Sequence, residues 1–185
     1  MKKKERKRAP GFHLEWEKIL SRALREARKT VVLGVGNPDR GDDGAGPLCA
    51  ESLKKRIGTC GGSRLLVLDG RAVPESRTGE IRRFAPDLTV IVDAAAAGLA
   101  PGTIFVLDAD ALSDEGVSTH TISLFYLARY LEKSIGSRVL ILGIEPSRRI
   151  DGAGISAPVS RAAKDLSAAM EARFFPRALR KNPCR

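Results

Sequence analysis

The sequence predicts a three-layer α/β/α sandwich with a mostly parallel, twisted sheet of about five strands. Short apolar runs of strand length alternate along the chain with segments whose apolar residues recur at helical spacing. This alternation is typical of a sheet that is covered by helices on both faces. The chain has 185 residues, of which 43% are hydrophobic and 29% charged, as expected of one globular domain.

The elements can be assigned in order from the same patterns. Apolar residues at helical spacing predict an amphipathic helix over 14–28, and Pro47 suits the first turn of the next helix. The apolar run 103–108 follows the preceding strand after a short connection, so we expect it to be antiparallel or to lie at an edge. The predicted strands are 30–35, 64–70, 88–94, 103–108 and 138–144, and the predicted helices are 14–28, about 45–57, 122–134 and 158–174, with a short helix within 75–84.

The charge distribution suggests how the chain is divided. The net charge of +10 is concentrated in residues 1–30 and 171–185, whereas the residues between them are nearly neutral. We therefore predict a basic leader with an amphipathic helix (1–29), a single α/β domain (30–175) and a basic tail (176–185). Basic termini are usually solvated, and an arm for RNA or for an acidic protein surface is the alternative.

Several classes of protein are disfavoured by composition. No segment approaches the roughly 18 uninterrupted apolar residues of a membrane span, and the leader lacks the apolar run of a signal peptide. We therefore expect a cytoplasmic protein. Cys49, Cys60 and Cys184 form no C-x-x-C pair, so neither a disulfide framework nor a cysteine-rich zinc site is predicted.

The glycine loop after the first strand reads V-G-N-P-D-R-G-D-D-G (35–44). It lacks the third glycine of a dinucleotide-binding motif and the Lys-Ser/Thr of a P-loop. Two adjacent carboxylates would also repel a phosphate group. A dinucleotide site is therefore not favoured.

Polar residues follow the predicted strands where a ligand site is expected. Ligands of open α/β sheets bind beyond the carboxyl ends of the strands. Asp42 and Asp43 follow the first strand, Asp69 closes the second, Asp93 closes the third, and His120 precedes a helix. If Asp43, Asp93 and His120 converge, their two carboxylates and one imidazole suit a first-row divalent metal such as Ni, Zn, Fe or Mn, with open positions for substrate or water.

Each of these aspartates also has a structural interpretation. Asp42 or Asp43 could cap the helix that begins near Ala45. Asp93 could end its strand in a side-chain turn, and the same interpretation is stronger for Asp69, which precedes a glycine. The G-x-S-x-G pattern of a serine nucleophile is absent from the sequence.

The same loop carries a resemblance to a known family. The stretch V-L-G-V-G-N-P-D-R-G-D-D-G-A-G-P-L-C-A-E-S-L (32–53) resembles the opening of the nickel–iron hydrogenase maturation endopeptidases, and most closely their hydrogenase-3 type branch. The resemblance covers roughly residues 30–170. It continues through the segments 69–76, 88–104, 118–124 and 139–146.

This resemblance implies a cytoplasmic endopeptidase that trims the C-terminal extension of a hydrogenase large-subunit precursor after nickel insertion. By motif position, the family's metal-contacting residues fall on Asp43, Asp93 and His120, and Asp42 is the neighbouring acid. The nickel would be carried by the precursor, with no permanently bound metal in the protease. Either the metal polarises the peptide carbonyl or a carboxylate activates water. We expect a monomer that neither inserts into a membrane nor binds nucleic acid.

Two features depart from the family pattern, and two other functions stay open. Arg71 stands where the family usually has a second glycine, and the leader 1–29 is outside the usual pattern. The segment V-G-N-P (35–38) also resembles the start of peptidyl-tRNA hydrolases, although Asp-Asp-Gly replaces that family's subsequent residues. A non-catalytic nickel-sensing chaperone would present the same ligands.

Overall fold

The computed structural model describes residues 12–58, 62–107 and 119–175, without the side chains of residues 12 and 119–122. Short 3₁₀ turns at Gly41–Gly44 and Pro74–Arg77 precede the second and third helices. The strands are β1 (Phe12–His13), β2 (Thr30–Val35), β3 (Leu65–Arg71), β4 (Leu88–Ala94), β5 (Ile104–Leu107) and β6 (Arg138–Ile144); the helices are α1 (Trp16–Glu26), α2 (Ala45–Ile57), α3 (Thr78–Phe84), α4 (Thr119–Ile135) and α5 (Ala157–Phe174).

The described strands form one sheet in the order β1-β5-β6-β4-β2-β3. β2 pairs in parallel with β3 and β4, and β4 pairs in parallel with β6. β5 is antiparallel to β6, as predicted for the segment after the short connection. The predicted fold class is confirmed, with one addition. The two-residue strand β1 pairs with β5, and it is too short to leave a periodic pattern in the sequence.

Most predicted elements are found close to their expected bounds. The leader helix is α1, the short helix within 75–84 is α3 together with its preceding turn, and the helix predicted at 122–134 begins earlier, at Thr119. No helix in the described ranges is long and apolar enough to cross a bilayer. Some parts of the chain lie outside the described residues: the basic segment 1–11, Cys60, Asp108 and the predicted tail 176–185, which contains Cys184.

Helices cover both faces of the sheet. α1, α2 and α5 pack on one face, and α3 and α4 pack on the other. Every residue of β4 is buried, as expected of a central strand in a doubly covered sheet. The core between the sheet and α1, α2 and α5 contains the large side chains Leu53, Leu142, Leu166 and Met170. The core between the sheet and α3 and α4 contains Leu33, Ile81, Ile91 and Leu131.

Two glycines bring the start of α2 against the sheet. A Cβ on Gly34 would lie 2.2 Å from the carbonyl oxygen of Gly46, and a Cβ on Gly46 would lie 2.2 Å from that of Val92. Because these neighbours are backbone atoms in strands and a helix, they cannot move aside at low cost. The close approach places the turn Gly41–Gly44 at the carboxyl ends of β2 and β4.

This contact predicts that Gly46→Ala is destabilising, even though alanine favours a helix by about 1 kcal/mol over glycine. The added methyl group must displace the backbone of β2 or β4, so we expect a loss of roughly 3 kcal/mol or more in the free energy of unfolding. Urea unfolding measures this loss. Gly154→Ala is the control, since a Cβ there meets nothing within 4 Å. Equal stability of the two variants would contradict this packing.

Candidate active site

A cleft of about 190 Å³ lies at the carboxyl ends of β2 and β4, where open α/β sheets bind their ligands. Two of the predicted site residues, Asp43 and Asp93, line it. The other lining residues come from the ends of β2 and β4, from the segments that follow β2, β3 and β6, and from α4: Val35, Gly36, Ala72, Pro74, Glu75, Ala94, Ser123, Leu124 and Arg149.

Asp43 is held at the cleft by the glycine loop. The backbone N–H of Asn37 donates a hydrogen bond of 2.9 Å to its Oδ2, whereas Oδ1 lies 3.7 Å from Nε of Arg149. The loop can fold back this tightly because Gly36 has a φ of 125°, and a Cβ there would lie 1.9 Å from the carbonyl oxygen of Asp43. One carboxylate oxygen is therefore oriented by the backbone, and the other lies beside a guanidinium group.

Asp93 lies near the end of β4 and is only 6% exposed. Its pKa is raised from an ordinary 3.8 to about 7, mainly by burial and then by the charge of Asp43, while Arg149 and the backbone N–H of Ala94 lower it. At neutral pH the free protein therefore contains both forms of this carboxyl. A group that titrates in this range can take up and release a proton during a reaction.

Asp42 points away from the cleft and joins two loops. It is fully buried, and its carboxylate accepts backbone hydrogen bonds from Ser147 (2.7 Å), Arg148 (2.9 Å) and Ser156 (2.6 Å) and one from the Ser156 hydroxyl (3.0 Å). Burial raises the pKa of Asp42, but these hydrogen bonds outweigh burial and hold it below its usual value. Asp42 is therefore an ionised structural anchor.

The alternative interpretation, in which Asp42 or Asp43 caps α2, is not what the structure shows. The residue before α2 is Gly44, which has no side chain to cap the helix. The carboxylate of Asp42 instead bonds the loop between β6 and α5, and that of Asp43 bonds Asn37 in the glycine loop. Capping was plausible from sequence because the true partners of Asp42 are more than 100 positions away in the chain.

Asp69 has the structural role that its sequence context suggested. Its Oδ1 accepts a hydrogen bond of 3.1 Å from the backbone N–H of Arg71, which closes a side-chain turn outside the cleft. Arg71 has a φ of 48°, in the left-handed region that glycine adopts most easily. The backbone thus keeps the shape that favours the family's usual glycine. The Arg71 carbonyl also accepts a hydrogen bond from Gly36.

His120 lies in the first turn of α4, and its side chain is outside the described part of the structure. The structure therefore brings together two of the three residues of the predicted metal site. Among the side chains it describes, no three of His, Cys, Asp or Glu are close enough to hold a metal ion. The three-residue site stays a prediction.

Two charged residues of the cleft were missed by sequence reasoning. Glu75 lies exposed on its wall, and Arg149 donates a hydrogen bond of 2.5 Å from Nη2 to the carbonyl oxygen of Ala94. The chain contains 32 Lys and Arg residues, so a single arginine in an irregular loop carries no distinguishing pattern. Its only signal is its position soon after the carboxyl end of β6.

Comparisons with known proteins agree with this fold. The family model described as HycI, hydrogenase maturation protease, matches residues 47–172. The hydrogenase 3 maturation protease of Escherichia coli (strain K12) is 38% identical over 136 residues, which cover 73% of this chain and 81% of that protein.

Two solved structures extend the likeness to three dimensions. The NiFe hydrogenase maturation protease HycI from Thermococcus kodakarensis KOD1 has a TM-score of 0.78 at 31% identity, over 84% of this chain and 98% of that one. The endopeptidase HycI from Escherichia coli has a TM-score of 0.67 at 34% identity, over 77% and 89% of the two chains.

The fold and these matches define a proteolytic enzyme. The chain belongs to the hydrogenase maturation protease family. The resemblance recognised in the sequence is confirmed. Family membership favours a protease over the two open alternatives, a peptidyl-tRNA hydrolase-like esterase and a non-catalytic nickel-sensing chaperone.

The hydrogen bonds of Asp42 predict a large effect of Asp42→Asn on stability. An amide cannot accept all four hydrogen bonds, and its NH₂ group would face backbone donors, so we expect a loss of about 3 kcal/mol in the free energy of unfolding. Denaturant unfolding measures it. Asp39→Asn, which makes the same chemical change at an exposed position of the same loop, should be nearly neutral. A loss below about 1 kcal/mol for Asp42→Asn would refute the anchoring role.

The raised pKa of Asp93 predicts that Asp93→Asn stabilises the protein at neutral pH. Between about pH 4 and pH 7 the unfolded chain ionises Asp93 and the folded protein does not, so the wild type loses stability as pH rises through this window. Asparagine does not ionise, so the variant does not lose this stability. The loss in the wild type amounts to roughly a few kcal/mol at pH 7.

Unfolding free energies measured at about pH 5 and about pH 7 test this linkage. The advantage of Asp93→Asn over the wild type should grow with pH, while Asp39→Asn should show no such trend. A constant difference across the range would mean that Asp93 titrates normally.

Proposed function

We propose that the protein is the endopeptidase that removes the C-terminal extension of a nickel-loaded NiFe-hydrogenase large-subunit precursor, in the cytoplasm. The observation that carries this proposal is the pairing of Asp43 and Asp93 in one cleft, in a chain of this family. Both residues lie at positions for which the resemblance to the family implies contact with a metal. The named relatives support the class of reaction, since they are hydrogenase maturation proteases.

We infer that Asp43, Asp93 and His120 contact the nickel that the precursor carries. Carboxylates and imidazole are suitable ligands for a first-row divalent metal. His120 belongs to α4, the helix that contributes Ser123 and Leu124 to the lining of the cleft. A site assembled from loop and helix ends leaves room for a metal that already has thiolate ligands from another protein.

Two alternative routes for cleavage of the peptide bond are compatible with this cleft. In one route the precursor's metal polarises the carbonyl of the scissile peptide bond. In the other, ionised Asp93 takes a proton from the attacking water and returns it to the leaving amine. In the metal-free protein the pKa of Asp93 is raised to about 7. This value suits the second route when Asp93 is not itself bound to the metal, because a general base works best when its pKa is near the working pH.

The proposal predicts that His120→Ala, Asp43→Asn and Asp93→Asn each reduce processing by at least about a hundredfold. Each variant loses a contact to the nickel or a proton acceptor. The assay follows cleavage of the precursor by mass spectrometry, with nickel-loaded and nickel-free precursor in parallel. Wild-type protein should cleave only the nickel-loaded form.

Asp39→Asn is the matched control, because it removes one exposed carboxylate from the loop that carries Asp43. It should process the precursor at the wild-type rate. Unchanged cleavage by His120→Ala, or equal cleavage of precursor with and without nickel, would overturn the proposed role of these residues.

A further inference from the structure

Arg149 holds a positive charge in the cleft. Its Nη2 donates a hydrogen bond to the carbonyl oxygen of Ala94 at the end of β4, and its Nε lies 3.7 Å from Oδ1 of Asp43. The guanidinium also acts electrostatically on Asp93, the other carboxylate of the cleft. Anchored to the sheet at Ala94, Arg149 keeps its charge beside both acids.

The ion pair with Asp43 is loose. Nε of Arg149 is buried and has no hydrogen-bond partner among the described residues, and 3.7 Å is beyond the usual range of a charge-assisted hydrogen bond. Oδ1 of Asp43 therefore lies close to a positive charge without accepting a hydrogen bond from that Nε. An incoming ligand can reach this oxygen, but it does so in the field of Arg149.

The positive charge of Arg149 acts differently on a free metal ion and on a metal that is already bound by thiolates. A free hydrated divalent cation carries two positive charges and is repelled by a guanidinium that is fixed beside its ligands. A metal that is already bound by several thiolates carries a neutral or negative total charge, because each thiolate contributes one negative charge. Such a metal is tolerated or attracted by the same guanidinium.

We propose that Arg149 is a specificity-determining residue that disfavours free divalent cations at Asp43 and Asp93 and favours a metal delivered with the precursor's anionic ligands. This inference rests on the proposed function and adds to it a selection between two states of the metal. It explains how a cleft with two carboxylates can stay available for its substrate in the presence of free metal ions.

The neighbouring charges provide matched controls. Arg148 precedes Arg149 in the same loop, its side chain is exposed, and it does not line the cleft. Arg148→Gln therefore removes the same charge at a distance from the two carboxylates. Arg149→Lys keeps the charge, and Arg149→Met gives a second uncharged variant of similar length beside Arg149→Gln.

The first experiment measures the affinity for free Ni²⁺ by calorimetry on the full chain. Arg149→Gln and Arg149→Met should each bind Ni²⁺ about tenfold more tightly than the wild type, since a single nearby charge has been removed. Arg149→Lys and Arg148→Gln should stay near the wild type. Adding Asp43→Asn to Arg149→Gln should abolish the gain, because the gain depends on that carboxylate.

The second experiment measures processing of the nickel-loaded precursor. Arg149→Gln should raise KM severalfold with little change in kcat, and free Ni²⁺ should inhibit it at about tenfold lower concentration than the wild type. Arg149→Lys should restore both properties in large part. A purely structural role for Arg149 would not produce this charge-dependent pattern.

The inference is overturned if both uncharged variants bind free Ni²⁺ no more tightly than Arg148→Gln. That result would leave the proposed function intact if Asp43, Asp93 and His120 still prove essential for cleavage. Conversely, the free-metal affinities report on Arg149 even if the processing assay fails to support those three residues.

Discussion

The carboxylate of Asp42 joins two of the loops that line the cleft, and the geometry of the site depends on this junction. Its four hydrogen bonds bind residues 147, 148 and 156 to the turn after β2. Asp43 follows Asp42 in the chain, and Arg149 follows Arg148, so the same junction sets Asp43 and Arg149 facing each other. A buried carboxylate is costly to desolvate, and hydrogen bonds to its charged form are the interactions that offset this cost.

Environment separates the aspartates into different roles. Asp42 accepts several hydrogen bonds and stays ionised. Burial and the negative charge of Asp43 instead disfavour the ionised form of Asp93 and raise its pKa to about 7. The first arrangement stabilises the fold. The second costs stability at neutral pH and leaves a carboxyl group that can exchange a proton, as is common in active sites. Arg149 moderates the second arrangement by placing one positive charge beside two acids.

The sequence allowed the fold class and the place of Asp43 and Asp93 to be predicted, because apolar periodicity marks the layers and ligands bind beyond the carboxyl ends of the strands. It did not reveal the partners of Asp42, since a contact across more than 100 positions has no local pattern. Arg149 was missed because its contact with Asp43 also spans more than 100 positions. The strand β1 was missed because two residues are too few to show an alternation of apolar and polar side chains. Arg71 was recognised as a departure, but only its φ of 48° shows that the backbone kept the shape glycine favours.

The proposed function requires that this cleft complete the coordination of a metal that belongs to the substrate. The most direct test is nickel K-edge X-ray absorption on the nickel-loaded precursor, recorded alone and in a sample frozen immediately after mixing with the protein. We expect additional oxygen or nitrogen neighbours around nickel in the mixture, and fewer of them with Asp43→Asn. Identical nickel spectra with and without the protein, while the wild type still cleaves the precursor, would contradict it.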